Sequence, residues 1–320
     1  MESLDVRAGI VETGVSRLKG IKPLVSPEKP SSAPSVEESF ARCVEVTRER
    51  ARNFHFAFSV LPKPRYQGIC ALYAFSRLAD DMSDDESDPQ KALASSRAWR
   101  AAFDRALAGD PSGHAILPAV AETMRRYEIP PAYMHELIAG TEMDAHTRRY
   151  EKWDDTYLYC YRVASVIGMM TIHVFGFTDP RAIPLAEKTG IAFQLTNILR
   201  DLGEDAGRDR IYLPLEDLRA QGVPESELLA AKDTPAIRRL VEAEVERARL
   251  YYQSGRELVP LIVPESRDAL GSLVAIYQRL LEEIARRGFD VLSERVTLSN
   301  AEKLRLAAGV AWKQFLRLGS

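Results

Sequence analysis

From Val36 onward, apolar residues recur at three- and four-residue intervals almost without a break, the period of helices that bury one face. The spacing predicts helices over 36–60, 63–85, 89–109, 113–128, 130–148, 154–177, 180–206, 214–231, 234–260, 264–287 and 298–318. No alternating strand pattern competes with them. Proline and glycine mark the joints, as in Glu128-Ile129-Pro130-Pro131, Asp179-Pro180 and Val263-Pro264, and no joint is long enough to be a domain linker. Residues 1–35 differ. They are rich in Pro, Ser and Gly, end in SPEKPSSAPS and keep no apolar period, so they read as a flexible tail. The expectation is one all-α domain over 36–320, and the lack of a fixed-period repeat argues against a helical solenoid.

Composition narrows this only where it excludes something. In 320 residues, 46% are hydrophobic, ample for a sizeable core, and the net charge of −3 with no long basic run gives no electrostatic footprint for nucleic acid. The three cysteines, Cys43, Cys70 and Cys160, match neither a zinc site nor a disulfide framework and read as buried reduced thiols. The start MESLDVRAGIVETG lacks the basic and apolar regions of a signal peptide, which points to the cytoplasm. The most apolar segment, Tyr157 to Phe177, carries Arg162 and His173. Its neutral run falls short of the roughly 20 residues that span a bilayer, so it is expected to be a buried core helix. A di-iron bundle needs Glu and His at i, i+3, and none of His55, His114, His135, His146 and His173 has Glu three places before it.

Two aspartate clusters break the apolar pattern. Asn197, Asp201 and Asp205 are spaced four apart, with Gln194 one turn earlier, so they share one face of the helix expected over 180–206. Asp80/Asp84 and Asp81/Asp85 repeat the i, i+4 spacing after the apolar run ICALYAFS. Both clusters lie in the last turns of their helices, where the macrodipole is already negative and each carboxylate costs on the order of 0.3–1 kcal/mol. Removing one would then leave the fold as stable or more so. The missing partner is either the nearby arginines Arg200, Arg208 and Arg210 or a bound cation. Aspartates without His or Cys neighbours suit a hard cation such as Mg²⁺, which takes one or two carboxylates and completes its shell from phosphate oxygens and water. Arg77, Arg200, Arg208 and Arg210 would supply donors for a diphosphate. The aromatic residues Phe54, Phe56, Phe58, Tyr73, Phe75, Tyr157, Tyr159, Tyr161 and Phe193 are explained by a core, and equally by an apolar cavity holding a hydrocarbon chain and a carbocation.

Over roughly residues 36–315 the chain resembles the squalene/phytoene synthase family, whose members join two prenyl diphosphates head to head. The motifs that carry the resemblance are YAFSRLADDMSD, YCYRVASVIG and QLTNILRDLGEDAGRDRIYLP, in that order. It implies an isoprenoid-synthase-type helical bundle enclosing a central apolar cavity. It makes Asp80, Asp84, Asp201 and Asp205 the Mg²⁺ ligands, with Asp81 in the same motif behind them. Phe54 matches a substrate-pocket aromatic, and Arg77, Gln194, Asn197 and Arg200 match polar residues of the two diphosphate positions. Tyr277 in AIYQRLL and Arg295 in SERV match further diphosphate contacts, and Tyr212 in RIYLP another motif tyrosine. Tyr159 matches the residue that helps remove a proton as the cyclopropane forms. One departure is Tyr66 in LPKPRYQG, where many relatives have arginine, with Arg65 beside it.

Within the family, MDAHTRRYEKWDDTYLYCYRVASVIG is most similar to bacterial hopanoid-pathway enzymes that make presqualene diphosphate from farnesyl diphosphate. Phytoene synthases, which use geranylgeranyl diphosphate, share both aspartate motifs and are the alternative. A catalytically silent helical scaffold is a second one, against which the intact aspartates count. Whether NADPH takes part and whether the protein touches a membrane to release its product are left open by the resemblance.

Overall fold

The computed structural model describes residues 34–50, 58, 61–84, 89–111 and 113–318, apart from the side chains of residues 82–84, 89 and 311–318. The tail expected over 1–35 falls almost wholly outside the described residues, as does Phe54. The chain divides after Pro131 into two compact units.

The first unit contains α1 (Val36–Arg50), α2 (Lys63–Asp84), α3 (Pro89–Leu107) and α4 (Leu117–Arg126). Ser35 and Glu38 open α1 as a capping box: the Ser35 hydroxyl accepts the Glu38 N–H at 3.2 Å, and the Glu38 carboxylate accepts the Ser35 N–H at 2.8 Å. Phe75 of α2 packs on Trp99 and Phe103 of α3, with ring centroids 4.8 and 5.2 Å away. Cys43 and Cys70 are fully buried and reduced. At the base of α4 the buried Ser39 hydroxyl accepts the Ala119 N–H at 3.0 Å, satisfying one of the orphan donors of a helix start.

The second unit begins along α5 (Pro131–His146), then β1 (Arg149–Tyr150), α6 (Trp153–Cys160), a wide π turn (Tyr161–Ser165) and α7 (Val166–Phe175). It continues through α8 (Ala182–Ala206), β2 (Ile211–Pro214), α9 (Leu215–Ala220), α10 (Glu225–Leu229), α11 (Pro235–Leu258), α12 (Pro264–Arg286) and α13 (Asn300–Leu318). The axis of this unit is α8. Every residue from Thr189 to Leu202 except Phe193 is buried, so α8 is enclosed on nearly all sides. It packs on α11, α7 and the π turn, and Thr196 and Tyr252 share a buried hydroxyl–hydroxyl hydrogen bond of 2.8 Å across the α8–α11 seam.

Three sequence expectations need correction. The parallel pair β1–β2 was not anticipated; IYLP is only four residues long and buried throughout, so it lacks the alternation that marks a strand. The helix expected over 214–231 is two helices, because Gly222 takes a left-handed φ of +68° and Pro224 caps the start of α10. The helix expected over 154–177 widens into the π turn and stops at Phe175, followed by Gly176 at φ +79°. Among the described residues Trp153–Phe175 is long and apolar enough to cross a bilayer, yet 56% of its most apolar stretch is buried against this unit, which supports the core-helix expectation.

The tightest approach lies where α8 crosses the π turn. A Cβ on Gly190 would sit 2.5 Å from Ser165 Cα and 2.8 Å from its backbone nitrogen, and no side-chain rotation relieves a backbone clash. A Cβ on Gly203, lower on the same helix, would meet only Leu292, its side chain at 3.7 Å and its backbone at 3.9 Å, ordinary van der Waals distances. Gly190→Ala is therefore expected to cost about 1–3 kcal/mol and lower the melting temperature by about 2–4 °C per kcal/mol, whereas Gly203→Ala leaves it unchanged or higher. Thermal melts of the two variants beside the parent check this, and equal melting temperatures would contradict the packing described.

Candidate active site

The polar face of α8 supplies most of the site. Asp201, 4% exposed, is clasped by two arginines: Arg200 donates from Nε to Oδ1 at 2.8 Å and from Nη2 to Oδ2 at 2.5 Å, and Arg295 donates from Nε to Oδ1 at 2.8 Å. Burial pushes the Asp201 carboxyl upward, but the hydrogen bonds and charges of Arg200 and Arg295 outweigh it and hold the group below its usual range. Asp205, one turn on, has no such clasp. Burial and then the Asp201 charge, with a further contribution from Asp144, push it up to about 7 despite Arg208 and Arg210. One turn earlier, the buried Asn197 donates to Gln194 Oε1 at 3.3 Å, while its own Oδ1 is buried without a hydrogen-bond partner. Tyr277 of α12 stacks on Phe193 at 4.3 Å and 13°, and burial pushes its hydroxyl up to about 12 against the opposing influence of Arg200 and Asn197.

Arg295 reaches Asp201 from 94 residues away along the chain. The turn after α12 makes this possible: Gly288 and Phe289 take φ of +67° and +63°, and Asp290 then accepts the N–H groups of Leu292 and Ser293 at 3.3 and 3.0 Å. Arg238 of α11 braces the turn by donating to the Gly288 carbonyl at 3.3 Å.

Beside this face lies a tyrosine cluster built on Asp144, near the end of α5. Tyr212 donates to Asp144 Oδ1 at 2.8 Å and Tyr159 to Oδ2 at 3.3 Å. Arg210 donates to the Tyr212 hydroxyl at 3.2 Å and to the Asp144 backbone carbonyl at 3.0 Å. The Tyr159 and Tyr212 rings stack at 4.7 Å and 20°, and Tyr150 covers both, at 5.3 and 5.9 Å. The β1–β2 pairing places Tyr150 and Tyr212 here, and the π turn begins two residues after Tyr159. Burial, with the Asp144 charge next, pushes both the Tyr159 and the Tyr212 hydroxyls well above the ordinary phenol range.

In the first unit, Arg77 donates to Asp81 at 2.5 Å and Arg50 lies 3.8 Å from the same carboxylate. Asp81 is thus an arginine-paired group. Asp80 is half-buried on the same helix end, where its charge bears on Arg77 and Tyr73. The Arg77 Nε is buried without a partner. Asp84 closes α2, with its side chain outside the described residues. Tyr66, at the position where the resemblance expects arginine, interacts with Cys70 and Arg48.

Among the described residues no group of three or more His, Cys, Asp or Glu side chains forms a ready-made metal cage. What α8 offers instead is the orphaned Asn197 Oδ1 and the carboxylates of Asp201 and Asp205 at successive turns, with Asp205 repelled by Asp201. One or two carboxylates with the rest of the shell left to a ligand is the requirement of Mg²⁺ bound with a diphosphate, so these residues fit that ion.

The squalene/phytoene synthase family model matches residues 47–302. The chain belongs to the squalene/phytoene synthase family. It is 32% identical over 280 residues to the phytoene synthase of Arthrospira platensis, covering 83% of this chain and 90% of that protein. It is 31% identical over 291 residues to the 15-cis-phytoene synthase of Synechococcus elongatus, covering 87% and 94%. Among solved structures it is similar to a dehydrosqualene synthase (TM-score 0.79, 29% identity, 88% of this chain and 98% of that one). It is also similar to the squalene synthase HpnC of Alicyclobacillus acidocaldarius (TM-score 0.75, 27% identity, 80% and 96%). Squalene/phytoene synthases are prenyltransferases that condense prenyl diphosphates head to head and generally depend on a divalent metal, and the all-α isoprenoid-synthase fold expected from the sequence is the one observed.

Of the residues singled out in the sequence of this squalene/phytoene synthase, the second unit brings together Gln194, Asn197, Arg200, Asp201, Asp205, Tyr277 and Arg295, with Tyr159 and Tyr212 alongside. Asp144 and Tyr150 were missed. Asp144 carries the same signal as the others, an aspartate in the last turn of a helix, but stands alone with no i, i+4 partner.

The expectation that any of these aspartates is removable without loss needs correction for Asp201, since it neutralises a buried arginine. Asp201→Asn is expected to lower stability at pH 7 by about 3–5 kcal/mol, the cost of leaving a buried charge unpaired. Asp205→Asn acts oppositely. With its pKa raised from 3.8 to about 7, Asp205 lets the folded chain hold a proton that the unfolded chain has lost, so its stabilising contribution is present at low pH and disappears as pH rises through 7. In EDTA-treated protein Asp205→Asn should raise the melting temperature above the parent's at pH 8, with the gap narrowing toward pH 5. A constant gap across that range would contradict the assignment.

Proposed function

We propose that this chain condenses two farnesyl diphosphates to presqualene diphosphate with Mg²⁺. The observation that carries the chemistry is the Asp201 clasp beside the tyrosine cluster: a buried and a half-buried guanidinium as donors for a diphosphate, next to aromatic faces for a carbocation. When substrate binds, its diphosphate, a denser anion than a carboxylate, draws the donors of Arg200 and Arg295 from Asp201, and their charge stabilises the departing diphosphate. Asn197, Asp201 and Asp205 would hold Mg²⁺ in the second unit, and Asp80 and Asp84 are proposed ligands in the same sense in the first. The ion supplies charge neutralisation at the leaving group. Gln194, Arg77 and Tyr277 are proposed diphosphate contacts, with Asp81 holding Arg77 in place. Phe54 is proposed to line the substrate pocket. The faces of Tyr159, Tyr212 and Phe193 exclude water and stabilise positive charge as the double bond of the second chain attacks the first chain's C1. Tyr159 then receives the proton lost on ring closure.

The farnesyl assignment draws on the likeness in fold to a dehydrosqualene synthase and to HpnC, and on the MDAHTRRYEKWDDTYLYCYRVASVIG segment. A second reading, two geranylgeranyl diphosphates giving phytoene, is favoured by the phytoene synthases among the sequence relatives. The single domain over 36–320, a cytoplasmic location and a peripheral membrane contact for delivering an apolar product belong to the proposal too.

At about 0.8 kcal/mol per buried CH₂, an open pocket would prefer the longer chain, so selection for farnesyl requires a closed floor. Phe58, fully buried, is a candidate for it. With both diphosphates in one tube, C30 products should predominate over C40 by at least about tenfold, scored by mass after phosphatase treatment, with NADPH present or absent to show whether squalene follows. Predominant C40 product gives the phytoene reading instead. EDTA should abolish condensation and excess Mg²⁺ restore it; turnover that persists in EDTA would remove the metal from the account.

A further inference from the structure

Among the described residues of the second unit, Asp144 is the one carboxylate that meets the proton-handling tyrosine directly. Its two oxygens are used differently. Oδ1 takes the short Tyr212 bond of 2.8 Å, and Tyr212 is itself held by Arg210, which also ties down the Asp144 backbone carbonyl. That arrangement fixes the rotation of the carboxylate. Oδ2 then points to the Tyr159 hydroxyl at 3.3 Å, a distance open to shortening once substrate is in place. Tyr159 is held against translation by stacking on Tyr212 and by the cover of Tyr150. The arrangement is a chain, Arg210 to Tyr212 to Asp144 to Tyr159, whose terminal phenol is the member that receives the proton in the proposed reaction.

A neutral phenol oxygen is a weak base. It becomes an adequate one if its own proton leaves as the new one arrives, and that requires an acceptor on its far side. We infer that Asp144 is a positioning residue that orients Tyr159 and takes its phenolic proton during ring closure. The inference rests on the reading of the chain as a head-to-head condensing enzyme. In the step, the substrate C–H bond breaks and its electron pair forms the last C–C bond of the cyclopropane. The released proton goes to the Tyr159 oxygen, and the proton that oxygen carried passes to Asp144 Oδ2. Tyr159 ends neutral as it began, Asp144 ends as the acid, and it returns the proton to water or to the leaving diphosphate as product departs. Burial in the tyrosine cluster suits this role, because it disfavours the Asp144 carboxylate form and raises its affinity for a proton.

The alternative is a purely architectural knot holding the end of α5 to β2. Four forms of the full chain separate the two: parent, Asp144→Asn, Tyr159→Phe and the double variant, with Asp144→Ser carried alongside. Each is melted, then run in single turnover with Mg²⁺ and each prenyl diphosphate, following diphosphate release and condensed product separately. The expected result is that Asp144→Asn and Asp144→Ser release diphosphate within about threefold of the parent while condensed product falls about 10²-fold or more. The double variant should be no worse than Tyr159→Phe beyond about threefold, because residues acting as one unit are not additive. Product within about threefold of the parent, a proportional fall of release and product, multiplicative losses in the double variant, or failure of both Asp144 variants to fold would each overturn the role. If the parent condenses neither diphosphate, the proposed function fails and the inference falls with it. If the parent condenses one and the Asp144 variants match it, only the inference fails.

Discussion

The site in the second unit depends on one buried carboxylate, Asp201, set between Arg200 and Arg295. Burying any one of these charges alone would cost several kcal/mol; together, with every contact a charge-assisted hydrogen bond, they are tolerated inside α8's packed surroundings. The surrounding structure serves this grouping. The glycine-lined crossing at Gly190 lets α8 sit deep in the unit, and the left-handed turn at Gly288 and Phe289 returns the chain so that Arg295 can complete the clasp. The result is a pair of oriented guanidinium groups, Arg200 buried and Arg295 half-buried, whose present anion is proposed to be exchanged for a diphosphate without ordering new side chains. Such preorganisation is what makes electrostatic stabilisation effective when charge develops on a leaving group.

Two neighbouring carboxylates show how environment divides labour among identical residues. Asp205 is one helical turn from Asp201 yet is pushed up to about 7 because it is buried beside like charge without a clasp. Asp144 meets two phenols and no metal-binding motif. Asp205 feels the charge of both the clasped Asp201 and the phenol-bound Asp144, and the same unit holds the Phe193–Tyr277 stack and the Tyr150, Tyr159 and Tyr212 rings. The proposed reaction would use this arrangement with the diphosphate at the arginines and the carbocation over the rings.

Much of this was legible in the sequence because helical periodicity is a local signal. The helices of the second unit from α11 onward lie within two residues of their expected limits, and α8 ends at Ala206 as its glycine stop implied. What escaped was long-range or short. The spacing names Arg200, Arg208 and Arg210 as partners for Asp201; Arg200 is one, but Arg295 comes from a turn whose return path no spacing reveals. Asp201 and Asp205 are equivalent in pattern and opposite in expected stability effect, since only tertiary contacts decide which is clasped. IYLP was too short and too uniformly buried to announce a strand, and that strand is what brings Tyr212 to Asp144. Asp144 itself shared the helix-end signature of the motif aspartates, but a single residue at that position is common enough to pass unnoticed.

In the proposed reaction, Arg200 and Arg295 exchange Asp201 for the substrate diphosphate. A crystal structure of the chain with a non-ionising thiodiphosphate analogue of the prenyl substrate and Mg²⁺ tests it most directly. The exchange puts guanidinium nitrogens of both arginines within hydrogen-bond distance of diphosphate oxygens, with the Asp201 carboxylate released from at least one of them. A diphosphate bound elsewhere, with Asp201 still held by both arginines, would contradict it.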